Sequence, residues 1–113
     1  METKREKIYL SGPITGVENL NREAFEDAES FYSALGYEVI NPLKIRGNED
    51  TTKEWSHYMR NDIKALVDCN IVVFLRGWEV SRGASLEMII ATSLELTIIE
   101  HESIKSTWLP DYV

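Results

Sequence analysis

Two periods of apolar spacing alternate along this chain. A short run over Lys7 to Ser11 predicts a first strand, and Gly12-Pro13-Ile14-Thr15-Gly16 after it predicts a loop. Leu20, Ala24, Ala28, Phe31 and Leu35 then recur at helical spacing, which predicts a helix over 22–35 with that stripe turned inward. Asn21 stands where an N-cap belongs, Leu20 and Phe25 are spaced as a hydrophobic staple, and Gly36 marks the stop. Residues 37–40 read as a second strand closed by Asn41-Pro42, with a polar loop over 44–50 behind it. Thr51-x-x-Glu54 has the form of a capping box and predicts a second helix from there to about Val67. The run over 70–75, Asn-Ile-Val-Val-Phe-Leu, fits a central parallel strand covered on both faces. A loop over 76–82, a third helix over 83–95 and a fourth strand over 96–99 complete the pattern, and the tail over 100–113 has no clear period.

Strands that alternate with helices predict an α/β fold: a small flavodoxin-like (Rossmannoid) parallel sheet with right-handed crossovers and helices on both faces. The expected strand order is 2-1-3-4, and residues 1–113 read as one domain. Such a sheet has its topological switch between strands 1 and 3, and ligands bind at the carboxyl ends of those strands. The loops leaving them, 12–18 and 76–82, are also the most unusual in the chain.

Charge narrows the partners. With 12 basic and 19 acidic residues the net charge is -7, which argues against a nucleic-acid polymer or an anionic membrane as the main partner. One small phosphate held by backbone amides stays compatible. No apolar run is long enough to span a bilayer, and the charged start of the chain lacks the apolar core of a signal peptide. The single cysteine, Cys69, excludes an internal disulfide, fits a reducing, cytoplasmic setting, and reads as a buried small residue. His57 and His101 lie far apart with no cysteine cluster, so no metal and no cofactor are expected.

Two carboxylates stand on apolar stripes. Glu87 shares a helical face with Ile90, Ala91 and Leu94, and Asp62 shares one with Trp55, Tyr58, Met59, Ala65 and Leu66. Burial and a second nearby acid both raise a carboxyl pKa, and such a pair can divide the work of nucleophile and proton donor. The structural alternative is that Asp62 caps a loop and Glu87 bonds amides at a helix start. Gly12 and Gly16 would let a ligand approach the backbone, though the loop is neither a Walker loop nor a dinucleotide fingerprint. Ser81-x-Gly83 before the third helix offers a hydroxyl and amides for an anion, or an ordinary N-cap. Tyr9, mid-strand, needs a partner for its hydroxyl if buried. Trp78 stacks on a base or packs a subunit contact, and Arg76 and Arg82 beside it read by default as solvated charge.

Three segments in this order resemble the nucleoside 2-deoxyribosyltransferase superfamily, including its 2'-deoxynucleoside 5'-monophosphate N-glycosidases. They are Ile8-Tyr9-Leu10-Ser11-Gly12-Pro13-Ile14, Arg60-Asn61-Asp62-Ile63-Lys64-Ala65-Leu66 with Val67-Asp68, and Ser81-x-Gly83-x-x-x-Glu87. The resemblance rests on these segments and extends over most of the chain, roughly 7–99. The resemblance implies that Glu87 is the nucleophile at C1' of a sugar, that Tyr9 orients it, and that Asp62 assists proton transfer to the leaving base. It implies a small-molecule nucleoside or nucleotide as partner, no metal or cofactor, and a homo-oligomer, dimeric or larger. Ser81 stands where the transferases carry an aspartate for the 5'-hydroxyl and the nucleotide hydrolases a serine, which favours a 5'-monophosphate. Thr15 replaces the arginine of the hydrolases, so phosphate would lean on Thr15, Ser81, loop amides and Arg82. Met88 replaces a frequent glycine, and Leu109 to Val113 would reach a neighbouring subunit's site. A non-catalytic nucleotide-binding module, or an interaction domain that shares the fold, remains open on the residues alone.

Overall fold

The computed structural model describes residues 5–102. Four parallel strands, β1 (Lys7–Ser11), β2 (Glu38–Ile40), β3 (Ile71–Leu75) and β4 (Thr97–His101), form one sheet in the order β2-β1-β3-β4. Three helices join them: α1 (Arg22–Ala34), α2 (Trp55–Leu66) and α3 (Arg82–Ser93). The α/β class and strand order agree with the sequence pattern. β4 runs to His101, two residues past the expected end, because its edge position lets Glu100 and His101 continue the ladder beside Phe74 and Leu75.

Strand alternation splits the core in two. Ile8, Leu10, Ile71, Val73 and Leu75 pack with Phe25, Ala28 and Tyr32 of α1. Tyr9, Val72 and Phe74 point to the opposite face, toward Leu66 and Cys69 on the α2 side and Ala91 of α3. All five residues of β3 are buried, as a central strand requires. Cys69 is buried with Sγ against the Ala65 carbonyl, and burial pushes its thiol up to about 11.

Several local expectations change. The buried stripe of α1 is Phe25, Ala28 and Tyr32, while Phe31 and Leu35 are 44% and 62% exposed. Two overlapping stripes compete there, and Tyr32 wins because its hydroxyl meets His101 Nδ1 at 3.0 Å while its ring packs on Tyr37. Asn21 does not cap α1: it is left-handed (φ 59°), and its Nδ2 donates to the Pro13 carbonyl at 3.0 Å. The capping box is also absent. Asp50 Oδ1 takes the amide and hydroxyl of Thr52, so a turn fills 50–53 and α2 begins at Trp55 without a side-chain cap. Among the described residues, no helix is long and apolar enough to cross a membrane.

Gly12 leaves β1 against the end of β3. A Cβ on it would stand 2.9 Å from Leu75 Cβ, closer than packed carbons tolerate. Gly12→Ala is expected to destabilise the fold by about 1–3 kcal/mol through overpacking. Urea unfolding measures this, and an unchanged midpoint would show that the strand ends relax freely.

Candidate active site

The site begins with the period of β1. Since Ile8 and Leu10 face α1, Tyr9 and Ser11 carry two hydroxyls side by side on the other face. Across from them, Ser81 Oγ accepts from the Ala84 amide at 3.2 Å and caps α3. The helix then buries Ala84, Glu87 and Ala91, one residue per turn of its inner face. Glu87 is 4% exposed. Tyr9 Oη donates to Glu87 Oε2 at 2.7 Å and Ser11 Oγ donates to Oε1 at 2.6 Å. Both carboxylate oxygens are therefore held, and among the described residues no cation pairs with Glu87. The bond to backbone amides allowed by the structural alternative is not what the acid makes.

Burial and hydrogen bonding pull Glu87 in opposite directions. Burial pushes its pKa up to about 7, the two hydroxyls resist, and the Asp62 charge adds to the rise. Tyr9 is raised well above its ordinary value, by burial first and then by Glu87, so it stays a donor. On α2 the buried residues are Met59, Asp62 and Leu66, the same one-per-turn pattern. Asp62 is 7% exposed, and burial raises its pKa to about 6 against a hydrogen bond from Asn48. That bond, Asn48 Nδ2 to Asp62 Oδ1, is 2.8 Å.

A cavity of about 270 Å³ opens between these elements, and Tyr9, Asp62 and Glu87 all line it. Gly12, Thr15 and Gly16 contribute from the first loop, and Ser81 and Gly83 from the start of α3. The sequence-derived candidates thus share one cavity at the carboxyl end of β1. Gly16 has φ +80°, a conformation glycine adopts without strain. Gly83 owes its identity partly to packing, since a Cβ there would meet Met59 Sδ at 3.1 Å.

Other candidates fall outside. Trp78 does not line the cavity; its ring packs on Phe74 and its Nε1 donates to Glu100 Oε1 at 3.2 Å. Arg82 is exposed, with its guanidinium 3.7 Å from the ring centre of Trp55. Arg76 is exposed as well. His57 donates from Nε2 to the Gly47 carbonyl at 2.9 Å. Leu109 to Val113 lie outside the described residues. Among the described residues, no group of three His, Cys, Asp or Glu side chains could hold a metal.

The residues missed in sequence are Ser11, Asn48 and Trp55 as a cavity wall. Ser11 had a signal: it stands two positions after Tyr9 and therefore on the same face. Trp55 lies on the stripe of Asp62, three and four residues before Tyr58 and Met59, but its place at a cavity wall depends on how α2 meets the loops. Asn48 lies in a turn-forming polar loop, where an asparagine is unremarkable.

A family model described as a domain of unknown function (DUF4406) matches residues 6–100. No curated protein matches the chain.

The raised acids set a pH dependence of stability. An acid whose folded pKa lies above its unfolded value binds more protons when folded, so stability falls as pH rises between the two values. For Glu87 that window runs from its ordinary 4.5 to about 7. Glu87→Gln is therefore expected to be more stable than wild type at pH 8, on the order of 2 kcal/mol, with the gain vanishing toward pH 4. Denaturant unfolding across pH measures it; a gain independent of pH would show that Glu87 does not titrate in the folded protein.

Proposed function

This chain belongs to the DUF4406 family, and we propose that it cleaves or transfers at the N-glycosidic bond of a (deoxy)nucleoside or nucleoside 5'-monophosphate through Glu87. The observation that carries the reading is a buried carboxylate clamped by the Tyr9 and Ser11 hydroxyls in a cavity shared with a second buried acid, Asp62. Glu87 attacks C1' of the sugar and the C1'–N bond breaks. The bond pair leaves with the base, which takes a proton from Asp62, and a glycosyl ester forms on Glu87. Water then cleaves the ester, giving its proton to Asp62 and its oxygen to C1'. A second base in place of water gives transfer. Tyr9 and Ser11 hold the carboxylate in the cavity throughout.

The lining supports a nucleoside-sized ligand. Trp55 and Tyr58 offer aromatic surface for a planar base, while Thr15 and Ser81 offer hydroxyls for the sugar or its 5'-substituent. No metal or cofactor enters the scheme. A cytoplasmic homo-oligomer, dimeric or larger, belongs to the same reading. Exposed Val80, Ile89 and Leu94 support it by placing apolar surface on and around α3.

Glu87 must be ionised and Asp62 protonated at the moment of attack. Burial raises both acids, Glu87 to about 7 and Asp62 to about 6, so the pair carries one proton mainly between those values. Base release is then expected to peak between about pH 6 and 7 and to fall on both sides.

The deciding experiment is chromatographic detection of free base. Ribo- and deoxyribonucleosides and their 5'-monophosphates form the substrate panel, with Glu87→Ala beside the wild type. Release by the wild type and none by the variant is the expected result, and the preferred substrate decides whether Ser81 faces a hydroxyl or a phosphate. Nucleotide binding without release from any substrate would replace the reading with a non-catalytic nucleotide-binding module.

A further inference from the structure

Asn48 belongs to the loop between β2 and α2, yet its side chain is tied at every polar atom. Its Nδ2 donates to Asp62 Oδ1 at 2.8 Å and to the Pro42 carbonyl at 2.9 Å. Its Oδ1 accepts from Asn61 Nδ2 at 2.9 Å. These partners fix the amide orientation. Turned over, the group would set its oxygen against a carboxylate and a carbonyl, and its NH2 against the NH2 of Asn61. The loop is fastened to α2 at further points, through His57 to the Gly47 carbonyl and Tyr58 to the Asp50 carbonyl. Asn48 also lines the cavity, so this anchored loop is one of its walls.

A fixed N–H at Asp62 Oδ1 has a chemical consequence. A proton on that oxygen would compete with the Asn48 N–H for the same electron density, whereas a proton on Oδ2 faces no donor from Asn48. We propose that Asn48 is a positioning residue that holds Asp62 by Oδ1, leaving Oδ2 as the oxygen that carries and delivers the proton. The titratable groups sharing the cavity with Asp62 are Glu87 on α3, Tyr9 on β1 and Tyr58 on α2. None of them donates to Asp62 among the described residues, and Asn48 anchors it. The catalytic consequence rests on the glycosidic reading; the hold on Asp62 does not.

The hold is read without turnover. Side-chain carboxyl 13C signals are followed by NMR through a pH titration, with Asp62→Asn assigning the resonance. In Asn48→Ala the Asp62 midpoint is expected to rise by about one pH unit, since a donor to the ionised form is lost. Asn61→Ala, which frees the amide while keeping it, is expected to give a smaller rise and serves where Asn48→Ala does not fold. An unmoved midpoint in the variants overturns the proposal. The catalytic arm is a double-mutant cycle on base release. Asn48→Ala is expected to lower kcat on the order of tenfold or more in the wild type, the lost placement of Oδ2 outweighing the easier protonation of Asp62, and to cost nothing further in Asp62→Ala. An additive loss overturns the action through Asp62. Should the wild type release no base, the glycosidic reading falls, and the NMR midpoint still decides whether Asn48 holds Asp62.

Discussion

The site is organised by what it takes to keep a carboxylate out of water. Glu87 is as buried as an apolar core residue, and an isolated charge in such a place is strongly disfavoured. Two hydroxyl donors make it tolerable, one on each oxygen. Those donors must stand on the same face of one strand, so they sit two apart, at Tyr9 and Ser11. The strand must be interior to the sheet, so that a side chain from α3 can reach it, and β1 lies between β2 and β3. The helix must start in a fixed phase, and the Ser81 cap sets it. Strand order, residue alternation and helix capping thus converge on one hydrogen-bonded carboxylate.

Much of this was legible because it followed from periodicity. Alternating strands and helices, with right-handed crossovers, leave few sheet orders, and the uninterrupted run of β3 marks the centre. Glu87 and Asp62 stood out because each interrupts an apolar stripe. What stayed hidden was decided by competition between partners of similar strength. Asn21 had the chemistry of a cap, but the Pro13 carbonyl took its amide. Thr51 and Glu54 had the spacing of a capping box, but the Asp50 side chain captured Thr52 and moved the helix start. Phe31 stood on the expected inward stripe, but His101, on a distant strand, supplied a partner for the Tyr32 hydroxyl and drew that ring inward. Such contests are settled by tertiary contacts, which local spacing does not encode.

The two acids sit in matched positions and differ in what surrounds them. Each is the middle residue of a buried one-per-turn set, between Met59 and Leu66 on α2 and between Ala84 and Ala91 on α3. Glu87 is held by hydroxyls from a strand, on elements fixed by the core. Asp62 is held by an amide from a loop, through a chain that runs Asn61 to Asn48 to Asp62. That difference matters for chemistry. On the proposed glycosidic reading, Glu87 as nucleophile is placed against a fixed scaffold, whereas Asp62 as proton donor keeps one oxygen free toward the substrate.

The energetics also weigh against a purely structural role for the pair. Replacing buried charged groups by well-packed apolar ones is often neutral or stabilising, because the cost of desolvation disappears. Burial is the leading cause of the raised pKa of both Glu87 and Asp62, so each acid works against the fold once it ionises. A scaffold with nothing to bind at this crevice would be better served by leucine at both positions. The fold instead spends a strand tyrosine, a strand serine and a loop asparagine on keeping two acids in place. Such an arrangement makes physical sense where the stability lost to burying the acids is offset by work they do in the cavity.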